Sequence, residues 1–258
     1  MSLEAPARTI LLLQDDAEAR LLADADAALE ALSPDGGIRL IRAWMTRPDW
    51  LHCGGADAPQ SLVRTGVLPG DDARALLEQE HRLVIFSLLP AVSVASLYHG
   101  DGGAFLAHRT LTAAWSPEIA AQVAAECREE PPVPPQAAVA ALETVIEALQ
   151  SKGTAVAVCT AFRHVPEPLE YRQSGSLTLR ERIRRLNVEI ARLSRRTGCF
   201  VLDLDRVLAQ EGGKSLQADC FGGGGRAAEI AIDEFIGLLL DALPDDFFPQ
   251  DFTPTEAA

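Results

Sequence analysis

The chain has 258 residues, of which 48% are hydrophobic, so it is long enough to bury a sizeable core and is not expected to be disordered. Its formal net charge of −14 disfavours nucleic acid and anionic membrane surfaces as partners. Its apolar runs are shorter than the ~20 residues that span a bilayer, and its N-terminal segment does not have the pattern of a signal peptide, so we expect a cytoplasmic protein.

Apolar runs that alternate with amphipathic patterns predict a parallel sheet with helices on both faces. Residues 9–13 (TILLL) predict a buried first strand, and residues 17–32 predict a helix because Ala and Leu recur at helical spacing. A second strand is predicted over 38–43 and a short helix over 71–80. The continuous apolar run 83–89 (LVIFSLL) predicts the central strand.

A long insertion over residues 91–135 follows the central strand. Regular alternation then resumes, with predicted helices and strands over 136–150, 155–160, 177–196, 199–204 and 226–243. We therefore predict one domain over residues 1–243. The acidic and aromatic tail over 244–258 is predicted to be mobile.

The five cysteines are far apart and form no C-x-x-C motif. This pattern is typical of reduced thiols rather than of disulfides or zinc ligands. The sequence therefore predicts no metal centre and no cofactor.

The turn after the first strand is the most informative segment, and it reads Gln14-Asp15-Asp16. In open parallel sheets, ligands and reacting groups lie at such turns. This one offers two carboxylates and no hydroxyl or thiol. The carboxylates can cap the first helix or bind Mg²⁺, and Asp16 can act as a nucleophile. The turn is also similar to the acidic turn of receiver domains, but the run 83–89 carries Ser87 where those domains carry their phosphorylated aspartate.

Several blocks of sequence occur in a recognisable order. Residues 70–77 (GDDARALL) precede the central strand, residues 186–193 (LNVEIARL) lead into 198–204 (GCFVLDL), and Asp219 precedes a glycine-rich turn and the final helix. Together these blocks resemble the SGNH (GDSL) hydrolases, a family of esterases, lipases, thioesterases and carbohydrate acetylesterases. The resemblance implies a three-layer α/β/α sandwich with a parallel sheet in flavodoxin-like order.

The departures from this family fall on its catalytic groups. Its Gly-Asp-Ser block reads QDD at residues 14–16, so Asp16 takes the place of the nucleophilic serine. Its Gly-x-Asn-Asp block, which supplies an oxyanion donor, reads LLPA at residues 88–91. Gly222 stands where the family has the catalytic histidine. The residues that carry over are Asp219 and one glycine, Gly66 or Gly70.

The absence of these catalytic groups determines which activity we expect. Losing the nucleophile or the base of a triad can cost ~10⁶ in rate, and losing one oxyanion donor costs about 2.7–4 kcal/mol. We therefore expect a catalytically degenerate protein that binds a ligand or a protein partner at the C-terminal edge of its sheet. The remaining catalytic candidates are Asp16, His164 and Asp219, and the predicted ligand-binding residues are Asp15, Asp16, Gly70, Asp219 and Gly222. The alternative is an active esterase, thioesterase or acyltransferase with relocated groups, such as His99, His108 or His164.

The predicted helix over 177–196 carries many arginines, a local reversal of charge in an acidic chain. Such a face can bind an acidic partner or an anionic ligand, or it can simply be solvated. The tail alternates acidic and aromatic residues, so it can fold onto a partner or pack back on its own domain. The residues predicted to bind a partner are Arg184, Arg185, Arg192, Phe247 and Phe248.

Overall fold

The computed structural model describes residues 8–14, 16–33, 37–45, 63–64, 76–77, 79–89, 92, 95–99, 104–107, 116–130, 132–164, 177–212 and 225–248. The strands in chain order are β1 (Arg8–Gln14), β2 (Ile38–Met45), β3 (Val63–Arg64), β4 (Leu83–Ser87), β5 (Ala95–His99), β6 (Ala104–Ala107), β7 (Cys127–Glu130), β8 (Ala155–Cys159) and β9 (Phe200–Leu202).

The helices in chain order are α1 (Asp16–Leu21), α2 (Ala25–Leu32), α3 (Pro117–Glu126), α4 (Pro135–Ser151), α5 (Leu179–Thr197), α6 (Leu204–Gln210) and α7 (Gly225–Ala242). A short 3₁₀ turn, Asp245–Phe247, follows α7. Among the described residues, no helix combines the length and apolar character that crossing a membrane requires.

Six strands form one sheet in the order β3-β2-β1-β4-β8-β9. Five of these strands are mutually parallel, namely β2, β1, β4, β8 and β9, and β3 pairs antiparallel with β2. Counted along the chain, the parallel strands have the order 2-1-3-4-5, which is the predicted flavodoxin-like order. The segment predicted as an insertion contains α3 and a separate antiparallel sheet in the order β6-β5-β7.

The two faces of the parallel sheet bury different cores because side chains alternate along a strand. Leu11 and Leu13 of β1 pack in the core that also contains α4 and α5. Ile10 and Leu12 pack in the core that contains α1, α2, α6 and α7. The predicted three-layer α/β/α sandwich is therefore confirmed.

The helix α5 has well-defined ends that fix its position relative to the sheet. Thr178 caps it, because its Oγ1 accepts from the backbone N–H of Glu181 (3.3 Å) and the Glu181 carboxylate accepts from the backbone N–H of Thr178 (2.7 Å). Gly198 ends it in the left-handed conformation, with φ of 72°. The buried stripe Leu186, Ile190 and Leu193 faces α4 and the sheet.

Several predicted elements differ from the structure in their bounds: β4, for example, ends at Ser87 rather than at residue 89, and β2 extends to Met45 rather than to residue 43. The helix predicted over 17–32 is interrupted, since residues 22–24 form a turn between α1 and α2. The last strand ends at Leu202 rather than 204, because the Asp203 carboxylate accepts from the backbone N–H of Arg206 (3.2 Å) and so caps α6.

Phe247 and Phe248 correct a prediction about the tail. Their side chains are only 3% and 6% exposed, and they join the core beneath α2, α6 and α7. Their rings meet edge to face, 5.4 Å apart, and Arg8 Nη2 donates to the Asp246 carbonyl oxygen (3.1 Å), which ties this turn to β1. The assignment of the two phenylalanines to a partner-binding surface is therefore wrong, since burying their rings removes them from water. Residues 249–258 of the predicted tail lie outside the described part of the chain.

Candidate functional site

The C-terminal edge of the sheet, meaning the residues that follow β1, β4, β8 and β9, is where the sequence places the site. Asp16 begins α1 one residue beyond β1, and His164 lies in the segment that follows β8. Both candidates are thus at this edge, whereas the relocated candidate His99 is the last residue of β5 in the antiparallel sheet. The other predicted residues lie outside the described residues: Asp15, Gly70, Asp219, Gly222 and His108.

Gln14 at the end of β1 has a structural role. It is buried, and its side-chain oxygen accepts from Arg42 Nη1 (3.4 Å). Arg42 of β2 also donates Nη2 to the Leu22 carbonyl oxygen (2.7 Å) and Nε to Asp26 Oδ2 (3.1 Å). The first residue of the QDD block therefore takes part in a contact that joins β1 and β2 to the turn between α1 and α2.

Ser87 at the end of β4 is enclosed and bonded. It is 1% exposed, and its hydroxyl donates to Oε1 of Glu18 (3.0 Å), which is itself buried in the first turn of α1. Its oxygen accepts from the backbone N–H of Leu89 (3.3 Å). A nucleophilic serine needs an accessible oxygen and a base that takes its proton. Within the described part of the chain, no histidine is hydrogen-bonded to Ser87, and burial keeps a substrate from its oxygen.

The segment after β8 is held by α5. The Ala161 backbone N–H donates to Oδ1 of Asn187 (3.0 Å), and Nδ2 of Asn187 donates to the Ala161 carbonyl oxygen (2.8 Å). Ala161 also packs with Leu179 and Ile183 from the first turns of α5. These contacts place the N-terminal end of α5 at the C-terminal edge of the sheet.

The same segment is held from the other side by residues that follow β9. Thr160 Oγ1 donates to Asp203 Oδ1 (2.9 Å) and accepts from the backbone N–H of Asp205 (3.0 Å). The buried Asp205 carboxylate accepts from the backbone N–H and Nε of Arg163 (both 2.9 Å), and Arg163 Nη2 lies 2.8 Å from its other oxygen. Both carboxylates are thus engaged in positioning residues 160–164.

His164 ends this fixed segment and is half-exposed, with its ring centroid 5.2 Å from that of Phe162. The pKa of His164 lies below its usual 6.5, chiefly because partial burial disfavours the imidazolium. Neighbouring charges also act on this pKa: it is lowered by Arg163, Arg180 and Arg184, and raised by Asp205. The imidazole is therefore predominantly neutral at pH 7.

His81 is a structural histidine at the opposite end of β4. It is 5% exposed, its Nε2 is hydrogen-bonded to the Leu76 carbonyl oxygen, and its Nδ1 has no partner in the described part of the chain. Burial lowers the pKa of His81 below 6.5, against the opposing effect of that hydrogen bond. Its ring is therefore predominantly neutral at pH 7 in the folded protein.

We expect the protein to lose stability on acidification through His81. Because its folded pKa is lowered, the unfolded chain binds more protons, so the stability present above pH 6.5 declines as the pH falls below that value. Urea unfolding between about pH 7.5 and pH 5 measures this slope. In His81→Gln the slope should be smaller than in the wild type, and an unchanged slope would contradict the prediction. His164→Ala is measured beside it, because the pKa of that histidine is also lowered and its removal should reduce the slope as well.

The arginines predicted to bind a partner differ in their surroundings. Arg192 donates to Glu189 (2.7 Å), and the nearby Arg196 makes two hydrogen bonds of 2.8 Å to Glu143 of α4. Arg184 and Arg185 are exposed and make no ion pair with any described residue. Partner binding by Arg184, Arg185 and Arg192 stays a prediction.

Several residues that organise the C-terminal edge were not predicted from the sequence: Glu18, Thr160, Arg163, Asn187, Asp203 and Asp205. For some of them a signal exists, namely a polar residue directly after an apolar strand run, as with Thr160 after AVAVC and Asp203 after FVL. For Glu18 the signal is absent, since it is an ordinary polar residue within a helical pattern, whereas Asn187 stands in the block 186–193 that carries the resemblance.

Its three layers and the order of its parallel strands give the chain an SGNH hydrolase-like fold, which confirms the predicted resemblance at the level of the fold. Among solved structures, the chain is similar to Axe2, an acetylxylan esterase from Geobacillus stearothermophilus, with a TM-score of 0.51 and 10% identity over 90% of this chain and 94% of that one. It is also similar to LAE5, an α/β hydrolase from the metagenome of Lake Arreo, with a TM-score of 0.52 and 11% identity over 93% and 98%. No family model and no curated protein matches the sequence.

Proposed function

We propose that this chain is a catalytically degenerate SGNH hydrolase-like protein that binds a ligand or a protein partner at the C-terminal edge of its parallel sheet. The observation that carries the proposal is the state of Ser87, whose hydroxyl is buried and bonded to Glu18 and to the Leu89 N–H. Asp16 supplies no hydroxyl at the family's nucleophile position. The edge therefore lacks an accessible serine at the ends of both β1 and β4.

Binding at this edge is supported by the way residues 160–164 are held. Asn187 fixes Ala161 from α5, and Asp205 fixes Arg163 from the segment after β9. A segment fixed on both sides presents its last residue, the half-exposed His164, in one arrangement, which lowers the entropic cost of binding. The acidic net charge argues for a small ligand or a protein partner rather than nucleic acid or a membrane.

One observation favours the alternative, an active esterase or acyltransferase with relocated groups. His164 lies at the C-terminal edge with an imidazole that is neutral at pH 7 because its pKa is lowered, and a neutral imidazole can act as a general base. No described hydroxyl or thiol is hydrogen-bonded to it. A relocated reaction would therefore require His164 to activate a water molecule or a residue outside the described ranges.

We expect no enzymatic ester hydrolysis. Purified wild type, Asp16→Asn and His164→Ala would be assayed with p-nitrophenyl acetate and p-nitrophenyl butyrate, with Axe2 as the positive control. The three rates should be equal, linear in substrate and no greater than the background of free imidazole at the same histidine concentration. Saturable turnover that Asp16→Asn abolishes would overturn the proposal in favour of the family position. Saturable turnover that only His164→Ala abolishes would establish the relocated alternative.

A further inference from the structure

The exposed face of α5 carries positive charge around an apolar side chain. Val188 is 51% exposed, and within the described part of the chain it is the only large apolar side chain that is exposed. Arg184 and Arg195 lie on the same side of the helix as Val188, and Arg185 lies beside them. Each of these arginines is exposed and forms no ion pair with a described residue. We refer to this surface as the basic ridge: Arg184, Arg185, Val188 and Arg195.

A groove between α6 and α7 has the opposite charge. It has a volume of about 580 Å³, and its apolar lining comes from Val207 of α6 and Ile230 of α7, which are both half-buried. Glu229 and Asp233 lie one turn apart on α7 and also line the groove. Both are exposed and form no ion pair with a described residue. We refer to this surface as the acidic groove: Val207, Glu229, Ile230 and Asp233.

The other charged groups at the acidic groove are paired. Arg226 Nη2 lies 2.7 Å from Glu211 Oε2, and Arg206 Nη2 lies 3.3 Å from Glu234 Oε1. These pairs largely balance one another's charge. The two remaining carboxylates therefore give the groove its net negative charge.

The basic ridge and the acidic groove lie on opposite layers of the sandwich. Helix α5 packs on the face of the sheet that contains Leu11 and Leu13, whereas α6 and α7 pack on the face that contains Ile10 and Leu12. The parallel sheet separates the two surfaces. The ridge of one chain can therefore meet such a groove only on another chain.

We propose that the basic ridge of one copy of this chain docks in the acidic groove of a second copy. The inference goes beyond the proposed function, because it concerns the two helical layers and not the C-terminal edge of the sheet. Both surfaces place charge around an apolar centre, so Val188 can contact Val207 and Ile230 while arginines lie against carboxylates. Such pairs form charge-assisted hydrogen bonds and fix the register of a contact.

The two surfaces also match in length. The ridge spans about 16 Å along α5 from Arg184 to Arg195, and the wall that α7 contributes to the groove spans about 12 Å from Arg226 to Glu234. The contact joins two different surfaces, so each copy in a pair keeps one unused ridge or one unused groove. Association of this kind continues head to tail beyond the dimer.

Sedimentation velocity of the full-length chain at physiological ionic strength tests the inference. The mean mass of the wild type should rise with protein concentration and pass that of a dimer. Val188→Glu places a carboxylate on the ridge, and Asp233→Arg places a guanidinium in the groove. Each variant should weaken association by at least about tenfold, because like charges then face each other across the contact.

A mixture of the two variants gives the most specific result. Val188→Glu retains an intact groove, and Asp233→Arg retains an intact ridge. Their equimolar mixture should therefore form dimers and nothing larger, at concentrations where each variant alone is monomeric. A contact between two identical surfaces would not give this result.

Matched controls carry the same changes of charge elsewhere. Ala148→Glu adds a carboxylate at an exposed position of α4, and Asp241→Arg reverses an exposed charge of α7 that does not line the groove. Both should change association less than about twofold, because exposed charges away from the contact are largely screened. Circular dichroism checks that all four variants fold.

Three outcomes would overturn the inference. The first is a wild type that stays monomeric at every concentration, which would leave the basic ridge to a different acidic protein. The second is a Val188→Glu or Asp233→Arg variant that associates as well as its control. The third is a mixture of the two variants that forms no dimer.

Discussion

Replacing Asn187 with alanine is expected to destabilise the protein by about 2–4 kcal/mol. The variant removes the donor and the acceptor that bind the two backbone groups of Ala161, a residue that is only 3% exposed. Each buried backbone group left without a partner costs about 1–3 kcal/mol, and the partial exposure of Asn187 lets water recover a part of that cost. Urea unfolding followed by circular dichroism measures the free energy.

Val188→Ala is the control for this change, because Val188 is the next residue of α5 and is 51% exposed. It should alter the free energy of unfolding by less than about 0.5 kcal/mol. Equal stability of the two variants would show that Asn187 does not hold the segment after β8. The Asn187→Ala variant should also broaden or shift the His164 ring resonance, since that residue ends the segment that Asn187 fixes.

Replacing Phe247 with alanine is expected to cost about 3–5 kcal/mol, the usual range for removing a buried phenylalanine ring. The ring is 3% exposed and packs in the core beneath α7, although it lies near the end of the described chain. Thermal and urea unfolding measure the loss. A surface residue that only recruits a partner would leave stability unchanged when truncated.

The neighbouring Asp246→Ala provides the comparison, since that side chain is exposed and the hydrogen bond from Arg8 goes to the backbone oxygen of Asp246. Its effect should stay within about 0.5 kcal/mol. If Phe247→Ala were as stable as Asp246→Ala, the burial of Phe247 would contribute nothing to the free energy of unfolding. Phe247 would then again be a candidate residue for a partner-binding surface.

The architecture could be predicted because it depends on local patterns. Runs such as TILLL and LVIFSLL are apolar on both faces, which is required of central strands covered by helices on both sides. The strand order followed from the resemblance, in which residues 186–193 had a place. That block contains Asn187. Its hydrogen bond with Ala161 explains what an asparagine does at this position, which the sequence pattern alone does not show.

The contacts of the candidate site could not be predicted, because they join residues far apart in sequence. Ser87 and Glu18 are separated by 69 positions, and Arg163 and Asp205 by 42. Nothing in the chain near Ser87 shows that its hydroxyl is bonded to Glu18 of α1, the helix that follows the neighbouring strand β1. The packing of the tail could not be predicted for a related reason. Acidic residues surround Phe247 and Phe248 in the sequence, but the two rings fill a core to which helices from several parts of the chain contribute.

The exposed Arg184 and Arg185, in the half of α5 nearest the C-terminal edge of the sheet, belong to a chain of net charge −14, and this local positive charge and the overall negative charge act over different ranges. At ~0.01 M salt the Debye length is ~30 Å, so an approaching anion experiences the acidic surface as a whole and is repelled. At ~0.15 M salt the Debye length is about 8 Å, so the same anion experiences mainly the charge of the nearest arginines. Association of an anion at this edge should therefore be fastest at intermediate ionic strength, and slower both in dilute buffer and in concentrated salt.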